Sequence, residues 1–284
     1  MRYYYELKEQ SITNDEKVFL SMVEHLVIIR FSVILNRDEF LKKINSLLCN
    51  ERLEYRFKLF ETFCLPSLLQ QSLIDYKIII IIDENLPINW KTRLTDLTKD
   101  YNFITLHTWN KKDTFESNDW IMPYVDYKTS KTKKFLCTTR IDDDDMINKD
   151  ANLIFKKILY ARRSKINEKS CYHLSNGIYI HIEKDNRLFP FKCNNKSLAV
   201  FMSLITPIEN EKNIYYYSHD KIANYPEIMQ IQVLSKSIQL FAVTNHHWEN
   251  DTRNVRFKKF KEEEKSCQKI IANFNVKNDC NYFL

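Results

Sequence analysis

Four consecutive carboxylates, Asp142-Asp143-Asp144-Asp145, come two residues after the apolar and β-branched stretch Phe135-Leu136-Cys137-Thr138-Thr139, with Arg140 and Ile141 between. A strand that runs out into carboxylates can aim oxygen ligands at one hard divalent cation, and that cation can hold a diphosphate. The junction reads as a metal-nucleotide site. The chain contains one glycine, Gly177, so the Gly-rich phosphate cradles of P-loop and dinucleotide-binding folds cannot be built. A nucleotide would have to be gripped another way, and carboxylates acting through a metal are the obvious one, although a chain that binds no nucleotide would lack glycines just as well. An EF-hand calcium loop is excluded, because no Gly stands at the sharp turn and Leu153 occupies the place of the bidentate Glu. The plainer alternative is a solvated loop or a cap for the helix predicted over residues 151–160, since Asp favours helix N-termini.

Composition narrows the classes further. The chain has 284 residues, 44% hydrophobic and 28% charged, enough for a full core in one large domain or a domain with an appendage. A net charge of +6 is mild and the lysines are scattered, so a nucleic-acid partner is not expected. Seven cysteines, an odd number with no Cys-x-x-Cys spacing, argue against a disulfide framework or a zinc cluster. Reduced thiols in a cytoplasmic compartment are the simplest account. Residues 1–19 mix Tyr, Glu, Lys and Asp, and the longest aliphatic run is Ile78-Ile79-Ile80-Ile81-Ile82, so neither a signal peptide nor a membrane span is expected. Arg253, Arg256, Lys258, Lys259 and Lys261 interleave with Phe257 and Phe260, a pattern suited to peripheral contact with anionic membrane. Glu262-Glu263-Glu264 follow at once, and a solvated surface helix is the plainer reading.

The elements that must position the carboxylates follow from periodicity. Residues 26–34 are apolar and β-branched, as a buried strand should be. Across 52–71, Phe57, Phe60, Phe63, Cys64 and Leu68 recur at helical steps, with Pro66 placed to kink or restart the helix. Residues 76–83 form an apolar run whose continuity predicts burial on both faces, as in a parallel sheet, and it ends at Asp83. A short helix over 90–99 leads to a third strand, 103–107. A polar loop carrying Trp109 and Trp120, a candidate lid, leads to the fourth. This alternation defines an α/β domain with a mostly parallel central sheet flanked by helices. Ligands sit at the carboxyl ends of such strands, where Asp83 and the Asp142 to Asp145 run both fall. Asp83 also has the bland reading of a strand-end turn residue. Beyond the predicted helix at 151–160, the pattern gives an alternating stretch over 172–182, a short strand or helix over 197–205, a helix over 227–234, a strand over 238–243 and a surface helix over 253–273. No repeat or linker is visible. The chain therefore reads as one domain, 1–284, with its core at about 24–250 and a basic, helical extension over 251–284.

Three segments in this order resemble a known family. Arg56-Phe57 through Phe63-Cys64-Leu65-Pro66-Ser67-Leu68 with Gln70-Gln71, then Ile78 to Asp83, then Thr138-Thr139-Arg140-Ile141-Asp142-Asp143-Asp144-Asp145 are similar to the rhamnosyltransferase family of GT-A-fold glycosyltransferases. A weaker similarity extends over His219-Asp220-Lys221-Ile222 and residues 245–250. The resemblance implies a GT-A-like fold and an inverting, metal-dependent enzyme. Such an enzyme binds a nucleotide-diphosphate sugar through Mn²⁺ or Mg²⁺ at an Asp-x-Asp motif and transfers the sugar, rhamnose by the family's name, to a glycan or lipid-linked hydroxyl acceptor.

Carried over to these positions, Asp142 would contact ribose or base, Asp144 would ligate the metal, and Asp143 and Asp145 would support the donor site. Asp83 would lie near the nucleobase, and Arg30 and Arg140 stand where a cation could meet base or diphosphate. A late His closes the metal site in many such enzymes. His247 is taken for that ligand, with His246 and His219 as alternatives, although a lone His is more often structural. Asp220 is the expected general base, with helix capping as its bland reading. Tyr215-Tyr216-Tyr217 reads as core and rim packing before it reads as a sugar platform. Two rivals remain. A sugar nucleotidyltransferase would share the sheet and carboxylates but needs a Gly-rich loop absent after Val33; a non-catalytic nucleotide- or carbohydrate-binding module would bind without turnover.

Overall fold

In the computed structural model of the chain the described residues are 1–6, 11–34, 47–110, 113–126, 132–182, 188–193, 198–210, 212–235, 237–246 and 273–274. Along the first half run β1 (Arg2–Tyr5), α1 (Asn14–Leu20), β2 (Val23–Phe31), α2 (Asn50–Leu59), a π-helical turn (Phe60–Cys64), α3 (Leu65–Leu69), β3 (Lys77–Asp83), α4 (Ile88–Thr98), β4 (Ile104–Trp109) and β5 (Phe135–Asp142). The second half contributes β6 (Met146–Ile147), α5 (Ala151–Ala161), β7 (Ser170–Leu174), β8 (Gly177–Ile182), β9 (Leu188–Cys193), β10 (Met202–Pro207), β11 (Met229–Ser235) and β12 (Phe241–Asn245).

Eight strands form the main sheet in the order β1-β11-β7-β10-β5-β2-β3-β4. Strands β5, β2, β3 and β4 pair in parallel, as the alternation of apolar runs and helices predicts. The sheet is mixed, however, where the sequence reading expects a mostly parallel one. Strand β10 runs antiparallel to both β5 and β7, while β11 pairs in parallel with β7 and β1. An apolar run shows that a strand is buried but not which way it runs. Both faces of β3 are covered: Ile78, Ile80 and Ile82 join one apolar cluster and Ile79 and Ile81 another, all fully buried.

The predicted helix over 227–234 is strand β11, in which Ile231 and Val233 alternate with half-buried neighbours in the period of a pleat. The alternating stretch over 172–182 is two strands in different sheets. Asn176, at a φ of 70°, breaks it between β7 and β8. The second sheet, β6-β12-β8-β9, is held together at the chain's one glycine. A Cβ on Gly177 would stand 2.2 Å from Cε2 of the buried Phe241 ring, so no other residue fits without moving that ring. The candidate lid is no lid at its tryptophans: Trp109 and Trp120 are buried, packed on each other and on Phe115.

The segment from α2 to α3 lies along the Asp run and holds it at successive points. Asp142 O accepts from Cys64 Sγ at 3.5 Å, Ile147 N donates to Ser67 Oγ at 3.3 Å, and Gln71 Nε2 donates to Asn148 O at 2.8 Å. Asn152 N donates in turn to Gln71 Oε1 at 3.1 Å. The predicted break near Pro66 is a π-helical turn just before that proline. A π turn adds a residue to the helical repeat, and here Arg56 before it, Cys64 at its end, and Ser67 and Gln71 after it all meet the 142–152 segment. No helix among the described residues is long and apolar enough to cross a membrane, and none of the described cysteines is in a disulfide.

Candidate active site

Strand alternation divides the carboxyl end of β5 between two environments. Ile29, Phe31 and Ile141 join the apolar cluster on the α2 side. Arg30, Arg140 and Asp142 therefore project to the opposite face, with Arg30 and Asp142 in register on adjacent strands. Their side chains meet, Arg30 Nη2 lying 3.5 Å from Asp142 Oδ1.

Beneath them is the ring of Tyr215, with the Arg30 guanidinium 5.1 Å and the Arg140 guanidinium 4.8 Å from its centroid. Phe115 stacks on the same ring at 4.8 Å. The turn that presents Tyr215 is pinned by Ile214 N donating to Thr138 Oγ1 at 2.9 Å, and by Asn213 Oδ1 accepting from Tyr215 N at 2.9 Å. The Tyr215 hydroxyl donates to Ile28 O at 3.2 Å. Arg140 is 5% exposed, and the buried Nε atoms of both arginines have no hydrogen-bond partner. Two guanidiniums beside the Asp142 carboxylate make this a cation-bearing face, with both Nε atoms turned into the protein.

His219 and Asp220 complete this face. Their side chains approach to 3.1 Å, and that of Asp220 is about half exposed. Burial and then the nearby Arg140 charge lower the His219 pKa, with Asp220 and Asp142 opposing. The structure thus brings Arg30, Arg140, Asp142, His219 and Asp220 into one neighbourhood.

The other three aspartates turn toward α2. Asp143 forms a two-point ion pair with the buried Arg56, through Nη2 and through Nε at 3.2 Å. Asp144 Oδ2 accepts from Arg56 Nη1 at 2.8 Å and lies 2.8 Å from His246 Nε2. The small sheet makes the last contact possible. Antiparallel pairing of β6 with β12 sets Met146 opposite Ala242, so the chain runs back to Asp144 and on to His246, 102 positions apart in sequence. Asp144 is 8% exposed, although a free cation ligand is expected to face solvent. Burial tends to raise its pKa, but Arg56 and His246 hold it well below the usual carboxylate range. Asp145, equally buried, is pushed well above that range by burial and by the charges of Asp144 and Asp142.

Asp83 is also buried. Its carboxylate accepts from Ile34 N at 3.0 Å and from Asn85 N at 2.9 Å, which ties the exit of β2 to that of β3. This is the geometry of the strand-end turn reading. His247 and the basic segment at 253–261 lie outside the described residues.

The donor set bears on whether a divalent cation fits. Neighbouring ligands around an octahedral Mg²⁺ or Mn²⁺ stand about 3 Å apart, and Asp144 Oδ2 and His246 Nε2 are 2.8 Å apart. The carboxylate oxygen suits Mn²⁺ or Mg²⁺, the imidazole nitrogen is a softer ligand than Mg²⁺ prefers, and Arg56 Nη1 already stands 2.8 Å from the same Asp144 oxygen. Among the described residues no three His, Cys, Asp or Glu side chains form a ready-made cage. Arg56, His246 and Tyr215 have more prominent places than their sequence context suggests. One signal was available: Arg52 and Arg56 interrupt the apolar face of α2 formed by Leu53, Phe57 and Leu59, and both are buried. A buried cation on an apolar face needs an anionic partner.

Comparison with known proteins identifies the family. The model of a family described as "Putative rhamnosyl transferase" matches residues 24–259. The chain is a glycosyltransferase. It belongs to that rhamnosyl transferase family. Among solved structures it is similar to TarS 1–349 of S. aureus in complex with UDP, at 10% identity over 92% of this chain and 67% of that one, with a TM-score of 0.38. It is also similar to a "putative nucleotide-diphospho-sugar transferase" of Desulfovibrio desulfuricans, at 4% identity over 79% and 81% of the two chains (TM-score 0.31). A "putative UDP-N-acetylglucosamine pyrophosphorylase" of Entamoeba histolytica gives 8% identity over 78% and 76% (TM-score 0.33). No curated protein matches the chain in sequence.

Proposed function

We propose that the enzyme is a GT-A-like, metal-dependent, inverting transferase that moves a sugar, rhamnose by family, from a nucleoside-diphosphate donor to a hydroxyl of a glycan or lipid-linked acceptor. The observation that carries this reading is the pairing, at one strand end, of a carboxylate-imidazole corner with an arginine pair over Tyr215.

Asp144 and His246 would hold Mn²⁺ or Mg²⁺, which supplies positive charge against the leaving diphosphate. Arg30 and Arg140, on the other side of the strand end, add fixed positive charge to the donor site, so that charge developing as the anomeric bond breaks meets cations and needs no protonation. Asp142, partly exposed beside Arg30, faces the nucleoside. Asp143 and Asp145 keep the turn in shape, and Asp83 fixes the exit of β2 at Ile34.

Asp220 takes the proton of the acceptor hydroxyl as its oxygen attacks the anomeric carbon from the face opposite the diphosphate. Its exposure and its contact with His219 support this role. Asp220→Asn keeps the shape and removes the base, so turnover with nucleoside-diphosphate rhamnose should fall about a hundredfold with donor affinity nearly unchanged. The anomeric configuration of the wild-type product should be opposite to that of the donor. Normal turnover in the variant would reject Asp220 as base, and a retained configuration would reject the direct displacement.

A further inference from the structure

Three side-chain atoms from distant parts of the chain converge on one point, where Asp144 Oδ2 can accept from both of its neighbours and Arg56 and His246 crowd each other. Asp144 Oδ2 is 2.8 Å from Arg56 Nη1 and 2.8 Å from His246 Nε2, and the last two are 3.3 Å apart. A carboxylate oxygen only accepts and a guanidinium nitrogen only donates. If His246 carries its proton on Nε2, it serves Asp144 but turns an N–H toward Arg56. If Nε2 is bare, it can accept from Arg56 but sets its lone pair against that of Asp144. No tautomer serves both contacts. A divalent cation would take the lone pairs of Nε2 and Oδ2 together, and the Arg56 nitrogen would then have to leave.

Arg56 has somewhere to go. Its Nε and Nη2 already grip Asp143, so the guanidinium can swing Nη1 off Asp144 about that contact while keeping its own charge paired. The run of four carboxylates then divides in two: Asp144 faces the cation, and Asp143 receives the arginine.

We propose that Arg56 is a displaceable internal counter-cation, which closes the Asp144–His246 corner in the absence of metal and withdraws onto Asp143 when a divalent cation binds. The proposal rests on the metal reading of that corner. By linkage, whatever strengthens the hold of Arg56 on Asp144 weakens the metal, and the reverse. Arg56→Lys keeps one positive charge for buried Asp143 but cannot span both carboxylates, so it should tighten Mn²⁺ binding about tenfold. Asp143→Asn removes the anchor for withdrawal and should weaken it by about the same factor, although Asp143 is not itself a ligand.

The test is a titration of the full chain with Mn²⁺ alone, followed by the paramagnetic resonance signal of the free ion, together with melting temperatures in chelator and in Mn²⁺. The expected result is binding that is lost in Asp144→Ala, tighter in Arg56→Lys and weaker in Asp143→Asn, with Mn²⁺ raising the melting temperature most in Arg56→Lys. Asp144-dependent binding that either of the other two folded variants leaves unchanged, or shifts in the opposite sense, overturns the role of Arg56 and leaves the metal reading standing. Should Arg56→Lys fail to fold, Asp143→Asn alone decides. No Mn²⁺ binding by the wild type or by any variant overturns both.

Discussion

Asp144 and Asp145 are neighbours with opposite ionisation. Asp144, depressed by Arg56 and His246 despite its burial, adds stability above the unfolded carboxylate value near about 4, and loses it as pH falls through the folded value. Asp145 is raised, so its contribution is complete below the unfolded value and is lost as pH rises through the folded one. Asp145→Asn, a neutral mimic, should therefore gain stability relative to wild type as pH goes from 5 to 8 in chelator. Urea unfolding at the two values checks this, and an advantage that shrinks with pH would contradict it. Asp144→Ala should do more than remove a ligand. Arg56 keeps its two-point pair with Asp143, so the metal-free protein should lose about 1.5 kcal/mol of stability by thermal or urea unfolding, the worth of a charged hydrogen bond. The sequence makes the four carboxylates plain but not this division. The turn that sends Asp143 and Asp144 toward α2 depends on contacts 87 and 88 positions away in sequence, which local periodicity does not carry.

At the scale of elements, the site depends on three supports: the α2-to-α3 segment along residues 142–152, the turn that presents Tyr215, and the small sheet that delivers His246. The last has a single weak point. Gly177→Ala would drive a methyl group into the Phe241 ring on β12, at a cost of about 1–3 kcal/mol. Because β12 leads directly to His246, Mn²⁺ affinity should fall along with the melting temperature; a variant that melts normally would show that Phe241 moves freely. Strands β2, β3 and β5 and helix α5 are legible because long apolar runs and a strong helical stripe leave little choice of element. Strand β11 is not, since Met229 to Ser235 mixes Gln with aliphatics and only its neighbours β7 and β1 decide for a strand. The orientation of β10 is equally hidden. Tyr215 reads as packing and does pack, yet it also lies under two guanidiniums, a placement visible only once β2 and β5 lie side by side.

Over the whole molecule, an α/β framework almost without glycine would, on the proposed reading, meet a diphosphate with side chains and not with a backbone cradle. Cations from β2 and β5 face one side of the strand end, and a carboxylate-imidazole corner assembled from β5 and β12 faces the other. That arrangement accounts for why the segments of the family resemblance occur together, since Arg56, Cys64, Ser67 and Gln71 hold the very stretch that contains the aspartates. The most direct test of the central claim is calorimetric titration of wild type and folded Asp144→Ala with a panel of nucleoside diphosphates, in Mn²⁺ and in chelator. One nucleoside diphosphate should bind the wild type in Mn²⁺ at least tenfold (about 1.4 kcal/mol) more tightly than in chelator, and Asp144→Ala should abolish that difference. Equal affinity in chelator, or a metal effect that survives the loss of Asp144, would contradict the account.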